Sequence, residues 1–198
     1  MKNKLSVIMM IGLSLAMTAD KWKPEFTKNG ISVYTKVLPG SSLKAFRAEG
    51  DIQAAIETVN SILYDTAGQV KWMPDCIVSY DISNGPENVF ISYNETKAPF
   101  VNNRDVIVET VITKSKNRII HESRAVDRPD LVPEFKGKVR ITDMSARWEL
   151  VRSDRGTHVI YEVIANPGGY IPGWLTNLAS SDIPYRTVLG LKSAAEGK

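Results

Sequence analysis

Five side chains in this sequence have the chemistry of general acids or bases: His121, His158, Tyr93, Glu109 and Tyr161. An unperturbed histidine, with a pKa of about 6.5, suits proton transfer near neutral pH. Each of the five stands alone, however, and each has an ordinary packing or solvent-exposed role in a strand. The sequence has no His-x-x-x-His, Cys-x-x-Cys, Gly-x-Ser-x-Gly, Walker or dinucleotide-binding pattern. We therefore predict no catalytic residue, no metal and no cofactor.

Two arginines are candidates for contact with a polar ligand group. Alternation places Arg140 on the same strand face as Trp148, while Glu149 on the other face is expected to be solvated. A guanidinium in a buried row needs a partner, which is either a structural carboxylate or a ligand head group, and both interpretations stay open. Arg104 and Asp105 are adjacent, and we expect them to form a structural pair or, alternatively, a ligand contact.

Residues 1–19 are predicted to be a secretory signal peptide. Lys2 and Lys4 precede an apolar run, residues 5–16, which at about 1.5 Å per residue is too short to span a hydrocarbon core of about 30 Å. Residues 20–198 are then expected to form a single domain of a periplasmic or secreted protein.

Composition excludes several functional classes. The 198 residues are 43% apolar and 24% charged, which is typical of a globular domain. The net charge of +3 falls to about +1 when the two lysines of the leader are removed, and nucleic-acid binding needs clustered basic residues. We therefore predict no nucleic-acid partner. The single cysteine, Cys76, cannot form an internal disulfide and is expected to fill apolar space.

Alternating apolar and polar residues predict a mainly antiparallel sheet. Residues 31–37 and 43–49 form a hairpin on either side of the turn at Pro39 and Gly40. Six further strands follow in succession, which favours a meander. They are residues 77–82, 89–94, 105–113, 118–126, 139–151 and 157–165.

Two helices are expected against this sheet. Asp51 is predicted to cap the first, in which four apolar residues between Ile52 and Leu63 share one face. The second runs from residue 174 to about residue 195 with an apolar stripe, and Pro184 is expected to kink or interrupt it. A long apolar-faced helix that closes a curved sheet suggests a lid.

Several short segments follow one another in a characteristic order between Trp22 and the last helix. They are Gly30-Ile31-Ser32-Val33-Tyr34, Asp65 with Trp72, Asn103-Arg104-Asp105-Val106, Gly137-Lys138-Val139-Arg140, Trp148, Pro167-Gly168-Gly169 and Ile171-Pro172-Gly173-Trp174-Leu175. In this order and spacing the sequence resembles the StAR-related lipid-transfer (START) family over nearly the whole chain. The Pro-Gly-Gly segment that leads into the final helix contributes most to the resemblance.

The resemblance implies an α+β helix-grip fold, in which a curved antiparallel sheet wraps the C-terminal helix and leaves an internal hydrophobic cavity. It implies that a monomer binds, and transfers or senses, one lipid or other hydrophobic small molecule, with transient membrane contact. The residues expected to line the cavity are Trp72, Tyr93, Arg104, Arg140, Met144, Trp148, Tyr161, Trp174, Leu178 and Tyr185. The residues expected to form its gate are Phe100, Val101, Trp174 and Leu175.

Two other functional classes stay open. Related helix-grip proteins include cyclases and dehydratases, so an enzyme that acts on a hydrophobic substrate is the first alternative. A protein-interaction module, with large side chains filling the interior, is the second. The tip of the gate, Ala98-Pro99-Phe100-Val101, either touches lipid or folds into the core.

Overall fold

The computed structural model describes residues 21–40, 43–84, 88–169 and 173–197, and the side chains of residues 83, 84 and 173–181 lie outside this description. The chain forms ten strands in these ranges. They are β1 (Lys23–Lys28), β2 (Ile31–Val37), β3 (Lys44–Ile52), β4 (Cys76–Asn84), β5 (Val89–Thr96), β6 (Asn103–Lys114), β7 (Arg118–Ala125), β8 (Lys138–Ile141), β9 (Met144–Ser153) and β10 (Gly156–Ala165).

The strands form one curved, mainly antiparallel sheet in the order β1-β2-β3-β10-β9-β7-β6-β5-β4. The predicted hairpin and the predicted meander are both confirmed. The prediction of one strand over residues 139–151 is wrong, because the chain breaks at Thr142 and Asp143. The first part, β8, pairs in parallel with the start of β6, whereas β9 pairs with β7 and β10.

Two α-helices and one 3-10 turn connect and cover the strands: α1 (Ile56–Tyr64), the 3-10 turn (Ala67–Lys71) and α2 (Gly173–Glu196). Asp51 does not cap α1, so this prediction from the sequence is wrong. It still pairs with His158 of β10 as part of β3, and the residue before the helix is Ala55, which makes no side-chain cap. The second helix runs on through Pro184, so the proline does not interrupt it.

The main core lies between the concave face of the sheet and the two helices. Val59 of α1 and Val188 and Leu191 of α2 are buried there against Leu150 and Val159 of the sheet. Burial of a side chain of this size contributes roughly 1.5–3 kcal/mol. We call the sheet surface that faces these helices the concave face, and the opposite surface the convex face.

A second, smaller core covers the convex face. Its buried members are Tyr93 of β5, Ile107 of β6 and Val132 from the connection between β7 and β8. Tyr93 and Ile107 are directly opposite each other in the ladder, so their side chains leave the sheet on the same side. They have the opposite parity to Phe90, which packs in the main core. The connection at residues 126–137 therefore packs against the outside of the sheet.

The C-terminal half of α2 is fixed closely to the rest of the fold. A Cβ on Gly190 would stand 2.1 Å from the carbonyl oxygen of Trp72, so only glycine allows this approach. Lys192 donates to the carbonyl of Asp51 at 2.6 Å, and the Gln53 amide donates to Glu196 at 2.9 Å. Within the described ranges, neither helix has both the length and the apolarity required to cross a bilayer.

The convex face of β9 differs from the expectation that its polar residues would be fully solvated. Glu149 is buried there and pairs with Arg147, at 2.5 Å, and with Arg118. Burial alone would raise the pKa of Glu149, but the two guanidinium groups outweigh it and hold the pKa below its usual value. Charged side chains on the convex surface therefore form ion pairs with one another as well as facing solvent.

Candidate functional site

The concave face is closed at one end and open at the other. Near α1, Val159 stands opposite Leu150 and both are fully buried. Four residues further along β10, Val163 stands opposite Ala146 and Phe46, and all three are only half-buried although they face the helix side. Inward-facing apolar residues keep exposed surface only where the sheet and its cover are apart. This end of the concave face is therefore the candidate ligand cavity.

An aromatic row marks the boundary between the closed and open ends. Trp148 stacks on Tyr161 with 4.2 Å between ring centroids, and Trp72 meets Trp148 edge-on at 6.4 Å. Three of the predicted cavity residues are thus brought together. Burial raises the pKa of Tyr161, and its hydroxyl makes no hydrogen bond to the described residues. A fourth predicted residue, Met144, is half-buried at the open end opposite Ala165.

Neutral polar groups from β5, β6 and β7 also belong to the concave face. The hydroxyls of Thr110 and Ser123 are 2.8 Å apart, and Ser92 is buried beside them one strand away. They have the same parity as Phe90 and Ile112 of the main core. The sequence analysis missed these hydroxyls, although the alternation along the strands contained the signal.

His121 faces the same side and is buried. Its Nε2 lies 2.9 Å from Oδ1 of Asn60 on α1. Burial, and secondarily the charge of Lys114, lowers the pKa of His121 from 6.5 to about 4. The imidazole is therefore neutral at pH 7 and serves as a hydrogen-bonding core group.

A second neutral polar cluster lies where the 3-10 turn covers β4 and β5. The Asn94 amide donates to Oε1 of Gln69 and to the hydroxyl of Ser79, both at 2.7 Å, and Ser79 donates to the same Gln69 oxygen at 3.2 Å. The cluster supports one edge of the concave wall with amide and hydroxyl groups.

Arg104, one of the predicted cavity residues, lies on the concave face at the open end and does not pair with Asp105. Adjacent residues of a strand point to opposite faces, which separates the two side chains. Its guanidinium instead donates to the carbonyls of Asn102, Pro167 and Gly168, at 2.5, 3.3 and 3.4 Å. Burial lowers the pKa of Arg104. One side chain therefore joins the β5–β6 loop to the segment that leads into α2.

Arg140 and Tyr93 are on the convex face, so their assignment to the cavity wall is corrected. Arg140 donates to the Asp105 carboxylate at 3.0 and 3.1 Å and to the carbonyls of Val132 and Pro133, and Tyr93 donates to the same carboxylate at 3.1 Å. The structural interpretation of Arg140 is therefore the one observed. The prediction had placed Arg140 on the strand of Trp148, from which the break after β8 separates it.

The convex network continues to the loop at residues 97–102. Lys138 donates to Tyr93 at 3.3 Å and to Glu95 at 2.5 Å, and Asn103 donates to the other Glu95 oxygen at 2.8 Å. The amide of Ala98 donates to Asn103 at 3.4 Å. The base of this loop is thus held from the convex side, while Arg104 holds it from the concave side.

The predicted gate residues are only partly described. Phe100, at the tip of the loop, is 89% exposed and has a left-handed backbone with φ of 65°, while Val101 is half-buried. Trp174, Leu175 and Leu178 lie on α2, and their side chains are outside the described residues. Tyr185, predicted in the cavity, is instead buried against the β1–β2 turn, where Asn29 donates to its hydroxyl at 2.8 Å.

The remaining acid–base candidates do not converge. His158 pairs with Asp51 at 2.7 Å at the protein surface, and Glu109 pairs with Arg124 on the convex face. Neither is on the same side of the sheet as the concave wall that holds Tyr161. Within residues 21–40, 43–84, 88–169 and 173–197, no cluster of three metal-ligating side chains occurs.

Comparison with known proteins gives a consistent result. The family model of the START domain matches residues 10–184. The uncharacterized protein PA1579 of Pseudomonas aeruginosa is 31% identical over 189 residues, which cover 94% of this chain and 93% of that protein. The phosphatidylcholine transfer protein of Rattus norvegicus is 25% identical over 84% of this chain and 80% of its own length.

A solved structure has the same fold. The crystal structure of a STAR-related lipid transfer protein from Xanthomonas axonopodis matches with a TM-score of 0.79 and 35% sequence identity. The match covers 88% of this chain and 98% of that one.

Proposed function

The chain belongs to the START domain family, whose members bind and transfer lipids, and from this premise we propose that it binds one lipid or other hydrophobic small molecule and transfers or senses it. The proposed site is the open end of the concave face, beneath the N-terminal half of α2. The proposed unit is a monomer that acts in the periplasm or outside the cell after removal of residues 1–19.

The observation that carries this proposal is the half-burial of inward-facing apolar residues such as Val163, Ala146 and Met144. Covering them with a ligand removes apolar surface from water. A ligand that buried 300–400 Å² would gain roughly 7–10 kcal/mol at about 25 cal/mol per Å², before the costs of ordering it. That is ample for retention of one molecule.

The proposed gate consists of the loop at residues 97–102 and the segment that enters α2. Arg104 holds both, so a ligand can pass only when its bonds to Pro167 and Gly168 break. Gly168 and Gly169 both have positive φ, at 62° and 59°, and such glycines can act as a hinge between β10 and α2. Trp174 and Leu175, in the first turn of α2 after this hinge, would move with it.

The tip of the loop is the proposed membrane contact. Phe100 exposes 89% of its surface, the largest fraction among the large apolar side chains that the structure describes. Insertion of this ring among lipid headgroups would bring the gate to the membrane surface, where a hydrophobic ligand can leave without crossing water.

A binding function is favoured over the enzyme alternative by the positions of the candidate acid–base groups. Tyr93 and Glu109 are on the convex face and each already has an ionic or hydrogen-bonded partner. His121 is buried at the closed end against Asn60. A general base must lie within hydrogen-bond reach of the proton that it abstracts, and none of these three side chains faces the open end of the concave face.

The proposal is tested by native mass spectrometry of the purified protein, followed by organic extraction of whatever has co-purified. We expect a stoichiometric lipid. Ala146→Trp should abolish this occupancy, because the new ring fills the open end of the concave face. Ser145→Trp is the matched control, since the neighbouring side chain is exposed on the convex face. An apo mass that persists after incubation with mixed lipids would sink the proposal.

A further inference from the structure

The concave wall is built almost entirely from uncharged groups. Apart from Arg104, its described buried or half-buried polar side chains on β5, β6, β7 and β10 are hydroxyls, one amide and one neutral imidazole. They are Ser92, Asn94, Thr96, Thr110, Ser123, His121, Thr157 and Tyr161. The N-terminal half of α2, residues 173–181, has the sequence GWLTNLASS and contains no ionisable side chain. Apart from Arg104, the described polar groups of the concave face are therefore neutral, and the sequence of this half of α2 adds no charge.

One described concave position departs from this rule, and it is already occupied. Arg104 is 7% exposed, and each of its three nitrogens donates to a backbone carbonyl at the open end. Those bonds tie together two segments of the chain. An anionic head group at Arg104 would have to compete with them.

Neutral polar groups favour a neutral ligand. A charge transferred from water into a low-dielectric site is strongly penalised unless a counter-charge and hydrogen bonds meet it there. A hydroxyl, ester or carbonyl needs only a donor or acceptor, and the wall offers several of these. The Tyr161 hydroxyl makes no hydrogen bond to the described residues, so a ligand oxygen can accept from it without displacing any of them.

We infer that the ligand is an uncharged amphiphile whose single polar end, a hydroxyl, ester or carbonyl, is bound by Tyr161 and the hydroxyl groups of β5–β7. This inference rests on the proposed function and names the class of lipid that the cavity accepts. It separates this chain from carriers of phospholipids, because Arg104 is the one described cation of this wall that could meet a phosphate, and its nitrogens already bond to backbone carbonyls. The ring of Tyr161, stacked on Trp148, holds the donor in a fixed direction.

The test is a competition among lipids that share their acyl chains. The protein is incubated with vesicles that contain equimolar dioleoylglycerol, dioleoylphosphatidylcholine and dioleoylphosphatidic acid, and the bound lipid is identified by native mass spectrometry. We expect dioleoylglycerol to exceed each phospholipid at least tenfold. Equal or higher occupancy by phosphatidylcholine overturns the inference, and a preference for phosphatidic acid overturns it in favour of Arg104 as a head-group site. Both results leave the carrier function intact, whereas binding of none of the three lipids counts against the carrier function itself.

A pair of tyrosine variants tests the assigned hydrogen bond. Tyr161→Phe should lower dioleoylglycerol occupancy about two- to twelvefold, the value of one net hydrogen bond. Tyr34→Phe is the control, because the Tyr34 hydroxyl donates to Glu49 on the convex face and should not affect occupancy. Unchanged occupancy in Tyr161→Phe, with phospholipid still excluded, removes Tyr161 from the site. If Tyr161→Phe no longer excludes phospholipid, the inference of a neutral ligand fails as well.

Discussion

Replacing Arg140 by methionine should weaken the fold strongly and leave lipid occupancy unchanged, because Arg140 lies on the convex face. Its side chain is 4% exposed and that of Asp105 is 1% exposed. The guanidinium makes two bonds to the carboxylate and one each to the carbonyls of Val132 and Pro133. Methionine fills similar space but leaves the Asp105 carboxylate buried without its counter-charge.

The expected loss is about 3–5 kcal/mol of unfolding free energy, the typical cost of breaking one side of a buried ion pair. For a domain of this size it lowers the melting temperature by roughly 6–20 °C. Most of the loss comes from the orphaned carboxylate. The double variant Arg140→Met with Asp105→Asn removes that charge and keeps an acceptor for Tyr93, so it should recover at least about 2 kcal/mol.

Urea unfolding followed by circular dichroism measures the stability, and native mass spectrometry of the folded fraction measures lipid occupancy. Arg128→Met is the matched control in the same connection, because its partner Asp130 is exposed and exposed ion pairs contribute little to stability. The reasoning is refuted if Arg140→Met loses no more stability than Arg128→Met. It is equally refuted if a stably folded Arg140→Met protein no longer holds lipid.

Three further perturbations test other parts of the structure. The pKa of His121 is about 4 in the folded protein against 6.5 in the unfolded chain, so the unfolded chain binds the proton first as pH falls. Stability is therefore lost between about pH 6.5 and 4, and the loss approaches about 3 kcal/mol. The urea midpoint of His121→Gln should fall less over this pH range than that of the unsubstituted protein. Phe100→Asp should slow lipid transfer between vesicles without changing the equilibrium occupancy by lipid. Phe135→Asp is the control, because Phe135 is 45% exposed at a different part of the surface and its replacement should leave transfer unchanged. Equal transfer rates in the two variants would rule out Phe100 as the membrane contact. Gly190→Ala should destabilise the fold by more than about 2 kcal/mol in thermal unfolding, because its Cβ would stand 2.1 Å from the Trp72 oxygen, and a gain in stability, as expected for an unconstrained helix position, would contradict this packing.

The sequence predicted most strands to within about two residues, because alternation reports directly that one face is buried. Alternation was ambiguous where a segment was buried by a pairing partner that lies far away in the sequence. The run at residues 139–151 alternates across Thr142 and Asp143, yet the chain turns there, since β8 pairs with β6 and β9 with β7. Asp51 has the residue type of a helix cap, but its pairing with His158 keeps it in a strand. Long-range pairing decided both cases, and a local pattern contains no information about it.

The alternation of β9 and β10 was enough to predict which of their side chains share a face. Trp148 and Tyr161 are adjacent on β9 and β10 and both face inward, as expected. Tyr93 was misplaced because parity divides a strand into two faces without saying which one meets the helix, whereas Arg140 was misplaced because the break after β8 separates it from the strand of Trp148. The register resolves this, since Tyr93 shares its face with Ile107 while Phe90, of opposite parity, packs in the main core.

The two faces of the sheet thus carry separate tasks. Charged groups such as Arg140 and Asp105 are satisfied by one another on the convex face, where they stabilise the fold and hold the base of the loop at residues 97–102. The concave face carries Ser92, Thr110 and Ser123 on β5–β7, and Tyr161 together with apolar half-buried residues such as Val163 and Ala146 on β9 and β10. An amphiphile placed between them would direct its polar end towards β5–β7. Substitutions along a single strand should therefore change stability at one residue and ligand binding at the next, because successive side chains of a strand point to opposite faces of the sheet.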